Sequence, residues 1–205
     1  MEHTSQFRAY ATAFHQVLDA IEVTDADGAP LAADAWLART HDTLRPIPRG
    51  HNKVMFIGNG GSAGIAGHMA IDFAKNGGVR AITFNDASSL TCLGNDLGYD
   101  QVFAQQVKMQ GLKGDVLVAI SSSGKSANIL NGVAAAKAMG CTIITLSGFG
   151  ADNPLRQAGA INFYVPARIY GFVETGHQAI LHAILDTAMG WTPARATEQP
   201  TNQVA

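Results

Sequence analysis

His68 and Asp72 stand four residues apart in the run Gly67-His68-Met69-Ala70-Ile71-Asp72. On a helix this spacing puts both side chains on one face, where a metal ion or a reacting carbon could lie between them. Residue types of the same kind recur late in the chain, where Glu174, His177 and His182 fall within residues 171–182. Imidazole and carboxylate on two separate segments are what a His/carboxylate metal site requires. Along a regular helix, Glu174 and His182 are about 12 Å apart at ~1.5 Å per residue, a long reach for two ligands of one ion. Either Glu174 precedes the regular helix, or the site draws on two subunits.

Ahead of His68, the apolar run Val54-Met55-Phe56-Ile57 breaks into Gly58-Asn59-Gly60-Gly61-Ser62 and then into a helical pattern. Backbone N–H groups and a helix N-terminus at the carboxyl end of a buried strand receive anions. A second turn reads Ser121-Ser122-Ser123-Gly124-Lys125-Ser126 before another helix. Its hydroxyls and free N–H groups can donate to phosphate oxygens, with Lys125 nearby. The serine run follows a buried strand directly and shares a sheet edge with the glycine turn, so it reads as an anion site rather than as a cap alone. Gly124-Lys125-Ser126 also matches the end of a nucleotide-binding P-loop, but Ala119 stands where that motif needs glycine. Gly58-x-Gly60-x-x-Ala63 fits a dinucleotide fingerprint, with Asp86 as its ribose-binding acid, yet a dinucleotide site leaves the serine turn unexplained. Gly94-Asn95-Asp96-Leu97-Gly98 is a plain turn by composition.

The elements that position these residues follow from hydrophobic period. Strands are predicted at 53–57, 80–84, 115–120, 142–146 and 161–165, separated by helical segments. Right-handed crossovers then give an α/β fold: a three-layer αβα sandwich on a five-stranded parallel sheet, with ligands beyond the strands' carboxyl ends. The last helix is predicted from 172 to 189, with a flexible tail over 191–205. Before the sheet, Phe7, Tyr10, Phe14, Val17, Leu18 and Ile21 draw a stripe along one helix, which packs on the main domain or on another subunit. Residues 23–33 read as a loop and 34–44 as a second helix, so 1–48 form a helical appendage to a main domain at 49–190. His3, His15 and His41 read as surface residues.

With 205 residues and 47% apolar content, the chain has ample material for a core. A formal charge of −2 and 15% charged residues give no footprint for nucleic acid or an anionic membrane, so any anionic ligand is held locally. The first residues lack the basic and apolar regions of a signal peptide, and no apolar run reaches membrane-span length; a cytoplasmic protein is expected. Cys92 and Cys141 read as buried small hydrophobes.

Together these motifs resemble the sugar isomerase (SIS) domain family, and within it the phosphoheptose isomerases, over about residues 52–190. The resemblance rests on G-N-G-G-S at 58–62, G-N-D-x-G at 94–98, S-x-S-G-x-S-x-N at 121–128, and the positions of His68 and His182. It implies metal-assisted isomerisation between sedoheptulose 7-phosphate and its aldose through an enediolate. The phosphosugar would be held by Asn59, Gly60, Gly61, Ser62, Ser121, Ser122, Ser123 and Ser126, with Asn95, Asp96 and Glu174 as further contacts. Zinc would be held by His68, Asp72, Glu174 and His182, with Asp72 and His182 also serving as the acid/base pair. The resemblance further implies a homotetramer with sites at subunit interfaces and the N-terminal helices in the contact. Asp72 stands where the family pattern has Glu, withdrawing the carboxylate by one methylene, and Glu174 stands where it has Gln, adding a negative charge. A module that binds sugar phosphates without turnover, or an isomerase of another phosphosugar, is the alternative.

Overall fold

Short runs rich in Val, Ile, Leu and Phe form the strands, and each is buried along its whole length except β1, β3 and the first residue of β5. In chain order the elements are α1 (Glu2–Asp19), β1 (Glu22–Asp25), α2 (Ala33–Leu44), β2 (Val54–Gly58), α3 (Gly61–Lys75), β3 (Ala81–Thr83), α4 (Ala87–Leu97), α5 (Val102–Gln110), β4 (Val116–Ser121), α6 (Ala127–Ala138), β5 (Thr142–Ser147), β6 (Ile161–Tyr164) and α7 (Tyr170–Ala188). The computed structural model describes residues 2–47 and 50–197. The boundary drawn between 48 and 49, and the tail from 198 onward, lie outside the described residues. The start of that tail, Pro193–Thr197, is a short 3-10 turn.

The sheet has six strands in the order β1-β6-β5-β4-β2-β3. β2 through β6 are parallel, and β1 runs antiparallel on β6, with Val23 opposite Phe163. The fold is therefore an α/β sandwich on a mostly parallel sheet, with a strand at its edge where the sequence predicted only a loop. Val23 alone in β1 is buried, so the segment carries too little periodicity to announce itself. Its turn is legible in retrospect: the Asp25 side chain accepts the amides of Asp27 and Ala29, and the chain doubles back to bridge Thr24 with Pro30.

Alternate strand residues feed two cores. Val54, Phe56, Val118 and Ile120 pack with α3 and α7, joined by Val17, Ile21, Trp36 and Leu44 from the N-terminal helices. Met55, Ile57, Leu117 and Ala119 pack with α5 and α6 on the other face. Burial on both faces explains why the strands read as continuous apolar runs. Residues from α1, β1 and α2 thus share the main core: Trp36 meets Phe163 edge to face, and His41, expected at the surface, bonds the Ile184 carbonyl of α7 at 3.0 Å. Cys92 is exposed and Cys141 half-buried, both as free thiols, so the expectation of two buried cysteines fails at Cys92.

Strand order reverses between β2 and β4, which pair through Gly58 and Ile120 at their carboxyl ends. In open α/β sheets this switch point leaves a crevice, because the two following helices depart to opposite faces. Here the departing helices are α3 and α6.

Candidate functional site

Both turns open into that crevice and enclose a cavity of about 240 Å3 lined by Asn59, Gly60, Gly61 and Ser62 from one side, and by Ser121, Ser122, Ser123 and Ser126 from the other. Tyr170 and Glu174 of α7 close it. The Ser122 hydroxyl is buried and has no hydrogen-bond partner. Ser126 holds the N-cap position of α6 yet makes no side-chain cap bond, so its hydroxyl is not committed to capping. Ser121 and Ser123 accept the amides of Gly124 and Lys125 at 3.2 Å each, which shapes the turn around the cavity. Lys125 is exposed and does not line the cavity.

Glu174 rests against the first residue of α3. A Cβ on Gly61 would lie 2.5 Å from both Glu174 carboxylate oxygens, so only glycine admits this approach. The helix N-terminus favours negative charge there, whether carboxylate or phosphate. Glu174 lies inside the regular helix α7, so the first of the two arrangements open at the sequence level, a Glu174 ahead of the helix, does not occur.

Two turns along α3, on the face that begins with Gly61, His68 and Asp72 come together with His182 of α7. The His68 Nε2 to Asp72 Oδ2 distance is 3.1 Å, and the two imidazole rings lie 5.3 Å apart between centroids. One ligand atom from each of the three residues falls within a 4.8 Å group. Glu174 is outside that group. Two imidazole nitrogens and a carboxylate oxygen suit zinc or a similar divalent ion, so these donors fit the metal the sequence called for. His68 is seven positions beyond Gly61, which places the trio about 10 Å along the helix from the serine- and glycine-lined cavity.

Other expected residues fall elsewhere. Asn95 and Asp96 sit in the last turn of α4, not in a loop, exposed and bonded to each other at 2.9 Å. Asp86 caps α4 by accepting the Ser89 amide at 2.8 Å, which occupies the acid that a dinucleotide reading requires. His177 is fully buried on α7; burial drives its pKa down to about 4, against the opposing effect of its bond to the Ser147 carbonyl. It ties α7 to the end of β5 and stands apart from the trio.

Two supporting residues, Tyr99 and Asn153, had no part in the sequence reading, and Asn128 entered it only as the last residue of the serine motif. Asn128 and Asn59 exchange reciprocal amide bonds of 2.9 Å, and the Tyr99 hydroxyl donates to Asn59 Oδ1 at 3.1 Å, holding that side chain at the cavity wall. Asn153 donates to Ser147 Oγ and to the Gly148 and Gly150 carbonyls beneath the serine turn. The Asn153-Pro154 pair, a helix-start signature, was the available signal for it.

A model of the SIS domain family matches residues 9–148. The chain belongs to the SIS domain family. The phosphoheptose isomerase of Thiobacillus denitrificans is 38% identical over 166 residues, which is 76% of this chain and 84% of that relative. The solved phosphoheptose isomerase from Neisseria gonorrhoeae has a TM-score of 0.75 at 27% identity, covering 93% of this chain and 98% of the other. That from Francisella tularensis gives 0.75 at 25% identity, covering 92% and 99%. Within the SIS domain family the chain therefore stands with the phosphoheptose isomerases, as an enzyme of the aldose–ketose isomerase type.

Proposed function

We propose that this SIS domain enzyme interconverts sedoheptulose 7-phosphate and D-glycero-D-manno-heptose 7-phosphate, supplying heptose for nucleotide-activated sugar synthesis. The observation that carries the reading is one face of α3: it begins in a hydroxyl-lined anion cradle and reaches, two turns on, an imidazole and carboxylate cluster. An extended seven-carbon sugar with a terminal phosphate spans a comparable length, so its phosphate can sit on the serines while C1 and C2 lie by the cluster.

Asp72 takes a proton from C1 of the ketose and returns it to C2, while His182 moves the hydroxyl proton between O1 and O2; the product is the aldose and both residues are regenerated. His68, 3.1 Å from the Asp72 carboxylate, fixes its position on α3. The serine turn and Asn59 hold the far end of the substrate and so restrict where C1 can lie. His68, Asp72 and His182 would hold a divalent ion, zinc by donor type, which when bound offsets charge developing on the substrate oxygens.

The working assembly in this reading is a homotetramer with sites at subunit interfaces. Phe7 and Tyr10 of α1 are exposed, which supports a contact through the N-terminal helices. Glu174, set apart from the trio within one chain, would join it from a neighbouring copy, and Asn95 and Asp96 would reach substrate the same way. The enzyme would work in the cytoplasm; among the described residues no helix is long and apolar enough to cross a membrane.

The test is incubation of the protein with sedoheptulose 7-phosphate, following the aldose by NMR with and without chelator. Product formation that stops on chelation and returns with zinc supports the reading. Sugar-phosphate binding with no turnover under any metal would make the chain a binding module instead.

A further inference from the structure

The rim of the cavity carries a side chain that neither phosphate binding nor proton transfer uses. Tyr170, the first residue of α7, lines the cavity beside Glu174 while the residue as a whole is 63% exposed. A single exposed aromatic needs no explanation, but this one is braced. Phe149 meets it edge to face, with centroids 4.8 Å apart and planes at 83°. Phe149 itself has φ 56, and among the described residues no other non-glycine residue is in the left-handed region. A bulky residue persists there only where its surroundings over-determine the backbone. They do so here: the Phe149 amide donates to the Ala167 carbonyl at 3.0 Å, and its own carbonyl accepts the Tyr164 hydroxyl at 3.0 Å. Glycines flank it at 148 and 150, and a Cβ on Gly148 would lie 2.6 Å from Val173, so the loop is pressed directly onto α7. A strained residue is thus maintained behind the cavity rim, with its ring set against the tyrosine that lines it.

We infer that Tyr170, braced by Phe149, is a substrate-positioning residue, its ring receiving the C–H face of the phosphosugar's carbon chain once the phosphate is seated on the serines. The inference rests on the phosphosugar reading above. An aromatic face is electron-rich and apolar, and it takes polarised C–H bonds while shedding water from both surfaces. Inorganic phosphate has no such carbons. Tyr170 therefore governs the ratio of phosphosugar affinity to phosphate affinity, a quantity that a residue of merely structural importance would leave unchanged.

The experiment is calorimetric titration of the full chain with sedoheptulose 7-phosphate and, separately, with inorganic phosphate. Tyr170→Ala is expected to weaken the sugar phosphate about two- to tenfold, the range an aromatic contact supplies, with inorganic phosphate unaffected. Tyr170→Phe keeps the ring face and should bind both ligands as the parent does. Phe149→Gly accepts the positive φ freely, removes the brace, and should give a smaller loss confined to the sugar. Equal losses for both ligands, no loss in Tyr170→Ala, or a Tyr170→Phe as impaired as Tyr170→Ala would overturn the assignment. If the parent protein binds phosphate but no phosphosugar, the functional reading fails and takes this one with it. If the parent binds phosphosugar and Tyr170→Ala binds it equally well, only the role of Tyr170 falls.

Discussion

Two buried polar groups, Asp115 at the amino end of the parallel sheet and Ser122 at its carboxyl end, are treated in opposite ways. At the amino end Asp115 is completely buried and every bond is made: Oδ1 accepts from the Asn52 amide group at 3.1 Å and the Lys53 N–H at 2.9 Å, and Oδ2 from the Leu112 N–H at 2.9 Å and the Lys53 ammonium at 2.7 Å. Burial alone would raise the Asp115 pKa, but these bonds together outweigh it and hold the carboxyl below its ordinary value. At the carboxyl end the Ser122 hydroxyl is just as enclosed and bonds to nothing in the protein. A satisfied buried network locks a structure, whereas a buried group without a partner is a destabilising element that persists where a ligand completes it. The first group is completed by the protein itself, and the second leaves a hydroxyl open, as the proposed phosphate site requires.

If that contrast holds, variants should separate stability from binding. The largest effect is expected on turnover: Asp72→Asn and His182→Ala should each reduce it by at least about a hundredfold, the scale of a lost general acid or base, while inorganic phosphate still binds. Full activity in either would refute their assignment. Next comes Asp115→Ala, which strands the Lys53 ammonium, whose side chain is 12% exposed. Loss of one partner from a buried pair costs about 3–5 kcal/mol, to be read by urea unfolding, with the phosphate affinity of the folded protein unchanged.

A third test uses pH. His177 titrates at about 4 in the folded protein, below the ordinary histidine value, so between about pH 6.5 and 4 the unfolded chain binds the extra proton. Stability should be whole above that window and fall by about 3 kcal/mol on crossing it downward, with His177→Gln showing a correspondingly flatter dependence of unfolding midpoint on pH. The smallest change is also the sharpest. Ser122→Ala should weaken inorganic phosphate by about 1.5–3 kcal/mol, the worth of a hydrogen bond to a charged group, yet leave the empty protein as stable as before or slightly more so. A Ser122→Ala protein that unfolds more easily than the parent would erase the distinction between the two ends.

Much of this arrangement was legible from the chain itself. Five parallel strands and the two turns that line the cavity could be read because burial on two faces forces uninterrupted apolar runs, and because glycine- and serine-rich turns stand out where such a run ends. β1 escaped notice since an edge strand of four residues with one buried side chain has almost no pattern to detect. Asn95 and Asp96 were read as a turn from their composition, but α4 continues through them and ends at Gly98, whose φ of 90 only glycine adopts readily. His177 resembled its neighbours in type; its burial, and its separation from the His68, Asp72 and His182 cluster, could not be seen from residue identity.

Local order therefore determined which residue types sit at strand ends and which share a helix face, because those are set by periods of two and 3.6 residues. Only the packed chain decided that α3 and α7 lie side by side with His182 against His68, that Glu174 stays over Gly61 at the start of α3, and that Tyr170 meets Phe149 beside the cavity. Those are contacts between segments a hundred or so positions apart or joined through a loop, and no local period encodes them; they follow from the packing of α3 and α7 side by side on one face of the sheet.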